Sequence, residues 1–245
     1  MASSEGIVAE RRVSQRPPDS YQVLGERSSG TNFLNVVLKR NTTMAPVSIQ
    51  DWKHGFPNVL AVPGNVLVLV SVRNALDWCL SMHAKPWHTT AELQALGFAG
   101  FLRAPWDTRV NRADYFGLKR GDPRVGSVLQ QDRHPVGGAK FANPVHMRNT
   151  KLAAWLGLLA REFNVAIVRH EATAAAPKAV LAELAAVFGF GVRPDFTGVG
   201  RRLGSKFRSA VENRPPTPDR IGGTDRAFIL DQLDLKQEAR LGYHY

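Results

Sequence analysis

Cysteine is nearly missing from this chain, since Cys79 is the only one among 245 residues. A single cysteine cannot form an intramolecular disulfide, so the fold needs no oxidising compartment, and we expect a cytoplasmic protein. Long apolar runs are missing as well. The run at residues 66–70 is far too short to span a bilayer, and residues 1–19 hold no run of signal-peptide length. We therefore expect neither a transmembrane segment nor a secretion signal.

Acidic residues are the scarcer charged type: 21 Asp and Glu stand against 32 Lys and Arg, a formal net charge of +11. This surplus favours an anionic partner, whether nucleic acid, a membrane surface or a phosphorylated or sulfated small ligand. The sequence has no helix with a stripe of Lys and Arg between aromatic residues, so we rank nucleic acid last. With 44% hydrophobic residues, the chain can build one large core, which excludes disorder throughout.

Short β-branched runs alternate with helical patterns along most of the chain. Runs typical of buried parallel strands occur at residues 21–24, 47–49, 66–72 and 165–168. Helical spacing predicts helices at 31–39, 76–83, 147–163, 177–188 and 224–240, the last with Thr224 as N-cap. This alternation predicts an α/β fold with a mainly parallel central sheet flanked by helices. Ligands of such sheets bind at the carboxyl ends of the strands.

Three stretches fall outside the alternation. We expect residues 1–19 to be a flexible N-terminal arm and residues 20–245 to be a single domain. Residues 84–144, rich in Pro, Gly and Arg with scattered aromatics, predict a loop-rich inserted cap. Residues 194–223 predict a basic loop, because six Lys and Arg stand there against three acidic residues.

The first predicted strand runs into a glycine-rich turn. Gly25 and Gly30 are spaced as in the P-loop pattern G-x-x-x-x-G-K-[ST], in which backbone N–H groups and a helix N-terminus cradle a phosphate. Thr31 replaces the lysine of that pattern, and Asn32 replaces the hydroxyl that holds Mg²⁺. A P-loop-like cradle for a phosphate without a metal remains. Its candidate donors and cation are Arg27, Ser28, Ser29, Gly30, Thr31 and Asn32.

A second candidate anion site follows the predicted strand at 66–72. Arg73 stands directly after this strand, and Ser81 lies eight residues on, two turns along the next predicted helix. An arginine supplies a charge-assisted fork to a phosphate, and a serine hydroxyl adds one hydrogen bond. We expect the two side chains to face one anion.

Together these motifs resemble the PAPS-dependent sulfotransferases, bacterial type, enzymes of P-loop-like fold that bind 3′-phosphoadenosine 5′-phosphosulfate (PAPS). The glycine-rich turn resembles their 5′-phosphosulfate loop, and Arg73 with Ser81 resembles their 3′-phosphate site. The V-R-H-E at residues 168–171 and the L-G-Y at 241–243 are similar to further family segments. The chain departs from the family at Ser28, where many members have a cation. It also has Ala172-Thr173 in place of the family's D-L, so no site residue is carried over from the segment at 168–173.

The resemblance implies transfer of a sulfuryl group from PAPS to a hydroxyl or amine of an acceptor, for which a glycan is one candidate. The segment after the second predicted strand resembles a K-x-H-x-P segment of these enzymes, so Lys53 is the expected cation on the bridging oxygen and His54 the expected base. His83, His88 and Glu26 are rival bases.

The basic loop lies where related enzymes cover the nucleotide, so Lys206 and Arg208 are expected to bind it. The histidines and the cysteine show no metal-ligand spacing, and we expect no metal. A nucleotide or small-molecule kinase with a degenerate P-loop is the alternative function. Neither the acceptor nor the oligomeric state follows from the sequence.

Overall fold

A computed structural model describes residues 6–200, 203 and 207–245. Within them one sheet has the strand order β1-β5-β4-β2-β3. Its strands are β1 (Ile7–Arg11), β2 (Ser20–Leu24), β3 (Ala45–Pro46), β4 (Val66–Val72) and β5 (Asn164–Arg169). All neighbours pair in parallel except β1, which runs antiparallel to β5. The predicted α/β class with a mainly parallel sheet is confirmed.

Helices lie between β2 and β3, between β4 and β5, and in the chain after β5. They are α1 (Thr31–Asn41), α2 (Ala75–Ala84), α3 (Ala91–Gln94), α4 (Phe98–Arg103), α5 (Pro144–Leu156), α6 (His170–Ala175), α7 (Pro177–Phe188), α8 (Gly223–Gln232) and α9 (Leu235–Arg240). None of the helices in the described ranges is long and apolar enough to cross a membrane.

The chain divides into two compact units. The first comprises Met1–Asn74, Ala153–Ser205 and Ala239–Tyr243, and it contains the sheet. The second comprises Ala75–Leu152, Lys206–Glu238 and His244–Tyr245, and it contains the whole segment 84–144 that we predict as a cap. The role of that segment as a cap and the likeness to P-loop enzymes remain predictions.

One hydrophobic core holds the first unit together. Alternate residues of β2, β4 and β5 supply one layer of it, as expected for strands whose side chains point to opposite faces in turn. Apolar residues of α1 and α7 supply the other layer. The buried residues that pack together here include Tyr21, Val23, Leu34, Leu38, Leu67, Leu69, Ala166, Val168, Leu181, Leu184 and Phe188. This packing fixes α1, and with it the glycine-rich turn, against the sheet.

The predicted strand at residues 47–49 is wrong, because the strand at this place is β3, two residues earlier. The side chain of Gln22 takes over the backbone pairing beyond it. Its Oε1 accepts hydrogen bonds from the backbone N–H groups of Ile49 and Gln50 at 2.9 and 3.1 Å, and its Nε2 donates to the carbonyl of Gln50 at 3.0 Å. A side-chain bridge of this kind leaves no signal in hydrophobic periodicity.

The segment expected to be a flexible arm instead contributes β1 to the edge of the sheet. Ile7 lies opposite Val168 in the register of β1 with β5. The side chain of Asn164 extends this pairing, because its Oδ1 accepts from the N–H groups of Val13 and Ser14 at 3.0 and 3.2 Å. The strand is short, mixed in polarity and mostly half-buried, so its sequence lacks the apolar run of a central strand.

The predicted helix at 177–188 is confirmed as α7, but the predicted helices at 147–163 and 224–240 differ from the structure. The helix at 147–163 begins at Pro144 and ends at Leu156, before a 3₁₀ turn. The helix at 224–240 is two helices, because the Asp234 side chain accepts at 3.1 Å from the N–H groups of Lys236 and Gln237 and so caps α9. Helix α8 has Gly222 as its N-cap rather than Thr224.

Buried ion pairs hold the loop-rich second unit. Lys151 of α5 donates to Asp132 Oδ1 at 2.6 Å, and both side chains are fully buried. Asp132 Oδ2 accepts from Thr108 Oγ1 at 2.9 Å and from Trp106 Nε1 at 3.3 Å. One carboxylate thus ties three points of the 84–144 segment to α5.

We expect Asp132→Ala to lower the free energy of unfolding by about 3–5 kcal/mol, because it removes the carboxylate to which the fully buried Lys151 ammonium donates. Urea denaturation measures this loss. The double variant Asp132→Leu/Lys151→Met removes both charges and should recover much of it. A loss below about 1 kcal/mol for Asp132→Ala would show that the pair does not hold the segment.

Candidate functional site

The motifs predicted from the sequence meet at one edge of the sheet in the first unit. Because β2, β4 and β5 are parallel and in register, their carboxyl ends lie at the same edge. The glycine-rich turn follows β2, Arg73 and Asn74 follow β4, and His170 and Glu171 follow β5.

The backbone of the turn requires its two glycines. A Cβ on Gly25 would lie 2.3 Å from the carbonyl oxygen of Ser71. Gly30 has a φ of +86° and is the N-cap of α1, where no side chain caps the helix and no acidic residue stands in the first turn. The N–H groups of a first helical turn have no partner inside the helix. The N-terminus of α1 is therefore suited to an anion.

Side chains from β4 and its end hold the carbonyl groups of this turn. Ser71 Oγ donates to the Ser29 carbonyl at 2.6 Å, and Arg73 Nη1 donates to the Ser28 carbonyl at 3.0 Å. Both the N–H and the hydroxyl of Ser29 donate to the carbonyl of Glu26, at 3.2 and 2.6 Å. In a trans peptide the N–H points away from the carbonyl, so holding the Ser29 carbonyl also fixes the direction of the Gly30 N–H.

The two predicted cations, Arg27 and Lys53, are placed differently around this turn. Arg27 is only 2% exposed, and its guanidinium carbon lies 5.3 Å from the centre of the Trp52 ring. Lys53 instead reaches the first turn of α1, where its Nζ donates to Asn32 Oδ1 at 2.6 Å. Burial lowers the pKa of Lys53 below its usual value, because the charged form loses hydration.

His54 is tied to the same turn. Its Nδ1 lies 2.6 Å from the carbonyl oxygen of Gly25. A carbonyl only accepts, so Nδ1 carries the hydrogen, and the lone pair of the neutral imidazole is on Nε2. The backbone adds a reciprocal bond, because the N–H of Gly25 donates to the carbonyl of Lys53 at 3.0 Å. Both predicted catalytic residues are therefore positioned by the turn itself.

The rival bases are placed less favourably. His83 is fully buried in the second unit, with Nδ1 at 2.7 Å from Thr217 Oγ1 and Nε2 at 3.2 Å from the Leu96 carbonyl, and burial lowers its pKa. Both ring nitrogens are thus engaged. His88 is also buried in that unit. Glu26 lies in the turn, but its side chain is only 3% exposed.

The sequence analysis missed His170 and Glu171. A Cβ on Gly30 would lie 2.1 Å from His170 Nδ1, so the imidazole lies against the N-terminus of α1. Glu171 accepts from the N–H of Asn74 and from the hydroxyl of Tyr243, both at 2.8 Å. It thereby joins the strand end behind Arg73 to the L-G-Y segment. Their position directly after a predicted strand was the signal available.

Three further predicted site residues lie in the second unit or outside the described residues. Arg73 belongs to the first unit, and Ser81 lies half-buried on α2 in the second, so their shared anion remains a prediction. Arg208 is exposed. Lys206 lies outside the described residues.

Comparison with protein-family models, curated proteins and solved structures finds no match to this chain. In the part of the chain that the structure describes, no group of three or more His, Cys, Asp or Glu side chains is placed to hold a metal ion. The site is therefore characterised by its own geometry: an uncapped helix N-terminus with a lysine and a histidine beside it.

We expect Gly30→Ala to lower the free energy of unfolding by about 1–3 kcal/mol, because alanine is strained at this left-handed φ and its methyl group would displace the His170 ring. Urea denaturation measures the change. Gly157→Ala is the matched control, since a Cβ there meets nothing within 4 Å, and its stability should be unchanged or raised. Equal losses in the two variants would contradict the strained turn.

Proposed function

We propose that this chain transfers a sulfuryl group from PAPS to a hydroxyl or amine of an acceptor, with a glycan as one candidate acceptor. The observation that carries the proposal is the uncapped N-terminus of α1 with the Lys53 ammonium and the His54 imidazole beside it. This arrangement offers an anion cradle, a cation for a leaving group and a proton acceptor next to one another, from two segments of the chain.

The donor's 5′-phosphosulfate would bind at the first turn of α1, with hydroxyls of Ser28, Ser29 and Thr31 nearby. Arg73 serves two purposes in this proposal. It holds the carbonyl of Ser28 at 3.0 Å, and together with Ser81 it would bind the 3′-phosphate. Lys206 and Arg208 would contact the nucleotide from the basic loop.

The transfer step needs one proton acceptor and one cation. The acceptor oxygen attacks sulfur while the bond from sulfur to the bridging phosphate oxygen breaks, and adenosine 3′,5′-bisphosphate leaves. Nε2 of His54 takes the proton of the acceptor hydroxyl. Lys53 neutralises the charge that develops on the bridging oxygen, and its partial burial strengthens that attraction.

The alternative, a kinase with a degenerate P-loop, predicts a different ligand. The P-loop pattern of kinases has a lysine and a hydroxyl residue where this chain has Thr31 and Asn32. Their replacement supports a donor that binds without Mg²⁺. Lys53 supplies an ammonium at the first turn of α1, a group that either reaction would use. Ligand binding separates the two functions.

We expect adenosine 3′,5′-bisphosphate to bind with micromolar affinity in the presence of EDTA, because arginine, lysine, hydroxyl and backbone groups supply the contacts. Calorimetry measures the affinity, and melting temperatures with ATP and Mg²⁺, and with a DNA oligomer, are the comparison. Binding that disappears on chelation, or a larger stabilisation by ATP with Mg²⁺, would favour the kinase. A larger stabilisation by DNA would favour a nucleic-acid-binding protein.

We expect His54→Ala to lower kcat by about 10²–10⁴-fold while bisphosphate affinity changes little, because the imidazole accepts a proton in the transition state. Transfer of labelled sulfate from PAPS to a glycan or metabolite extract is the assay. The fall of the rate at acid pH that a histidine base produces should vanish in the variant. Normal turnover of His54→Ala, with loss of activity in His88→Ala or Glu26→Ala, would assign the base to that residue.

A further inference from the structure

Five aromatic side chains form a cluster in the second unit. It consists of Trp87, His88, Tyr115, Phe116 and Phe207. The ring of Trp87 lies 5.5 Å from that of Tyr115 and 5.4 Å from that of Phe207, and the rings of His88 and Phe116 are 4.9 Å apart. His88 has a φ of +69°, a left-handed conformation that is uncommon for residues other than glycine. Such strain is concentrated at functional sites.

Arg214 adjoins this cluster and is incompletely bonded. Its guanidinium carbon lies 5.7 Å from the centre of the Phe207 ring, and its Nη1 donates to the Ala84 carbonyl at 3.0 Å. Its Nε and Nη2 are buried, and no residue of the described chain accepts a hydrogen bond from them. Burial lowers the pKa of Arg214, because the charge loses hydration there.

The two unsatisfied nitrogens form one edge of the guanidinium. Nε–H and Nη2–H point in the same direction, and together they pair with both oxygens of a carboxylate. Buried donors are almost always hydrogen-bonded, so we expect a bound acceptor at this edge of the guanidinium. The hydroxyl of Tyr115 is likewise buried without a hydrogen-bond partner in the described part of the chain.

We propose that Arg214 and the aromatic cluster form a second binding site, for a ligand that carries a carboxylate on a ring. The Nε–Nη2 edge binds the carboxylate, and the rings of Phe207 and Trp87 pack against the ring of the ligand. Trp87, Tyr115, Phe207 and Arg214 are all half-buried, so part of the site reaches solvent. A rotamer change, common on binding, gives the ligand access to the buried edge. The observations behind this site differ from those behind the proposed sulfuryl transfer.

Titration with benzoate and with glucuronate tests the proposal, with benzyl alcohol as the ring without a carboxylate. The readouts are the melting temperature and the ¹H–¹⁵N signal of Arg214 Nε. At least one carboxylate should shift that signal and raise the melting temperature, and benzyl alcohol should do neither. A response to benzoate alone identifies an aryl carboxylate, and a response to glucuronate alone identifies a uronic sugar.

Arg214→Leu should abolish this response, and Arg214→Lys, which keeps the charge without the two-donor edge, should weaken binding about ten- to a hundredfold. Arg220→Leu is the matched control, because Arg220 is exposed in the same segment and the variant loses the same charge. The proposal is overturned if neither carboxylate acts on the wild type, or if Arg214→Leu and Arg214→Lys respond as the wild type does. If Arg214→Leu fails to fold, the lysine variant decides.

Discussion

Hydrogen bonds to the carbonyl groups of the glycine-rich turn are the constraint on which the candidate site depends. The carbonyls of Gly25, Ser28 and Ser29 accept from His54, Arg73 and Ser71 respectively. Each hydrogen bond holds one carbonyl toward the donor side chain. The N–H group of the same peptide unit then points in the opposite direction. The same bonds position His54 and Arg73. The proposed anion cradle and the side chains proposed to react are therefore parts of one hydrogen-bond network, which requires β4 beside β2.

The central part of the fold is predictable because burial on both faces leaves a direct record in the sequence. Residues 66–72 and 165–168 are nearly continuous apolar runs, as parallel strands covered on both faces must be. The edge strands leave no such record. Strand β1 is held by backbone pairing and by Asn164, and the chain after β3 is held by Gln22. Side-chain amides that stand in for backbone partners are invisible to periodicity.

For the candidate site, the sequence predicts positions along the chain but not the directions of side chains. Glycine spacing after a strand predicts the turn, whereas Lys53 and His54 are expected from the resemblance to the K-x-H-x-P segment. The position of a residue in the sequence does not say where its side chain points. The sequence therefore predicts Arg27 in the cradle, whereas its side chain lies buried near the Trp52 ring. His170 was missed because its contact with Gly30 joins residues 140 positions apart in the chain, and only the packing of α1 against the sheet brings them together.

The Lys53 ammonium is partly buried and has lost part of its hydration, and this loss favours an anion beside it. Burial alone raises the free energy of the ammonium, as its lowered pKa indicates, and Asn32 offers it only a neutral oxygen. A phosphate or phosphosulfate would supply the missing negative charge in the same poorly hydrated surroundings, where attraction between charges is stronger than in water. In the proposed function, the cost of burying Lys53 in the free protein would be recovered when the anion binds. Binding should in turn hold Lys53 in its charged form, the form that can neutralise a leaving oxygen.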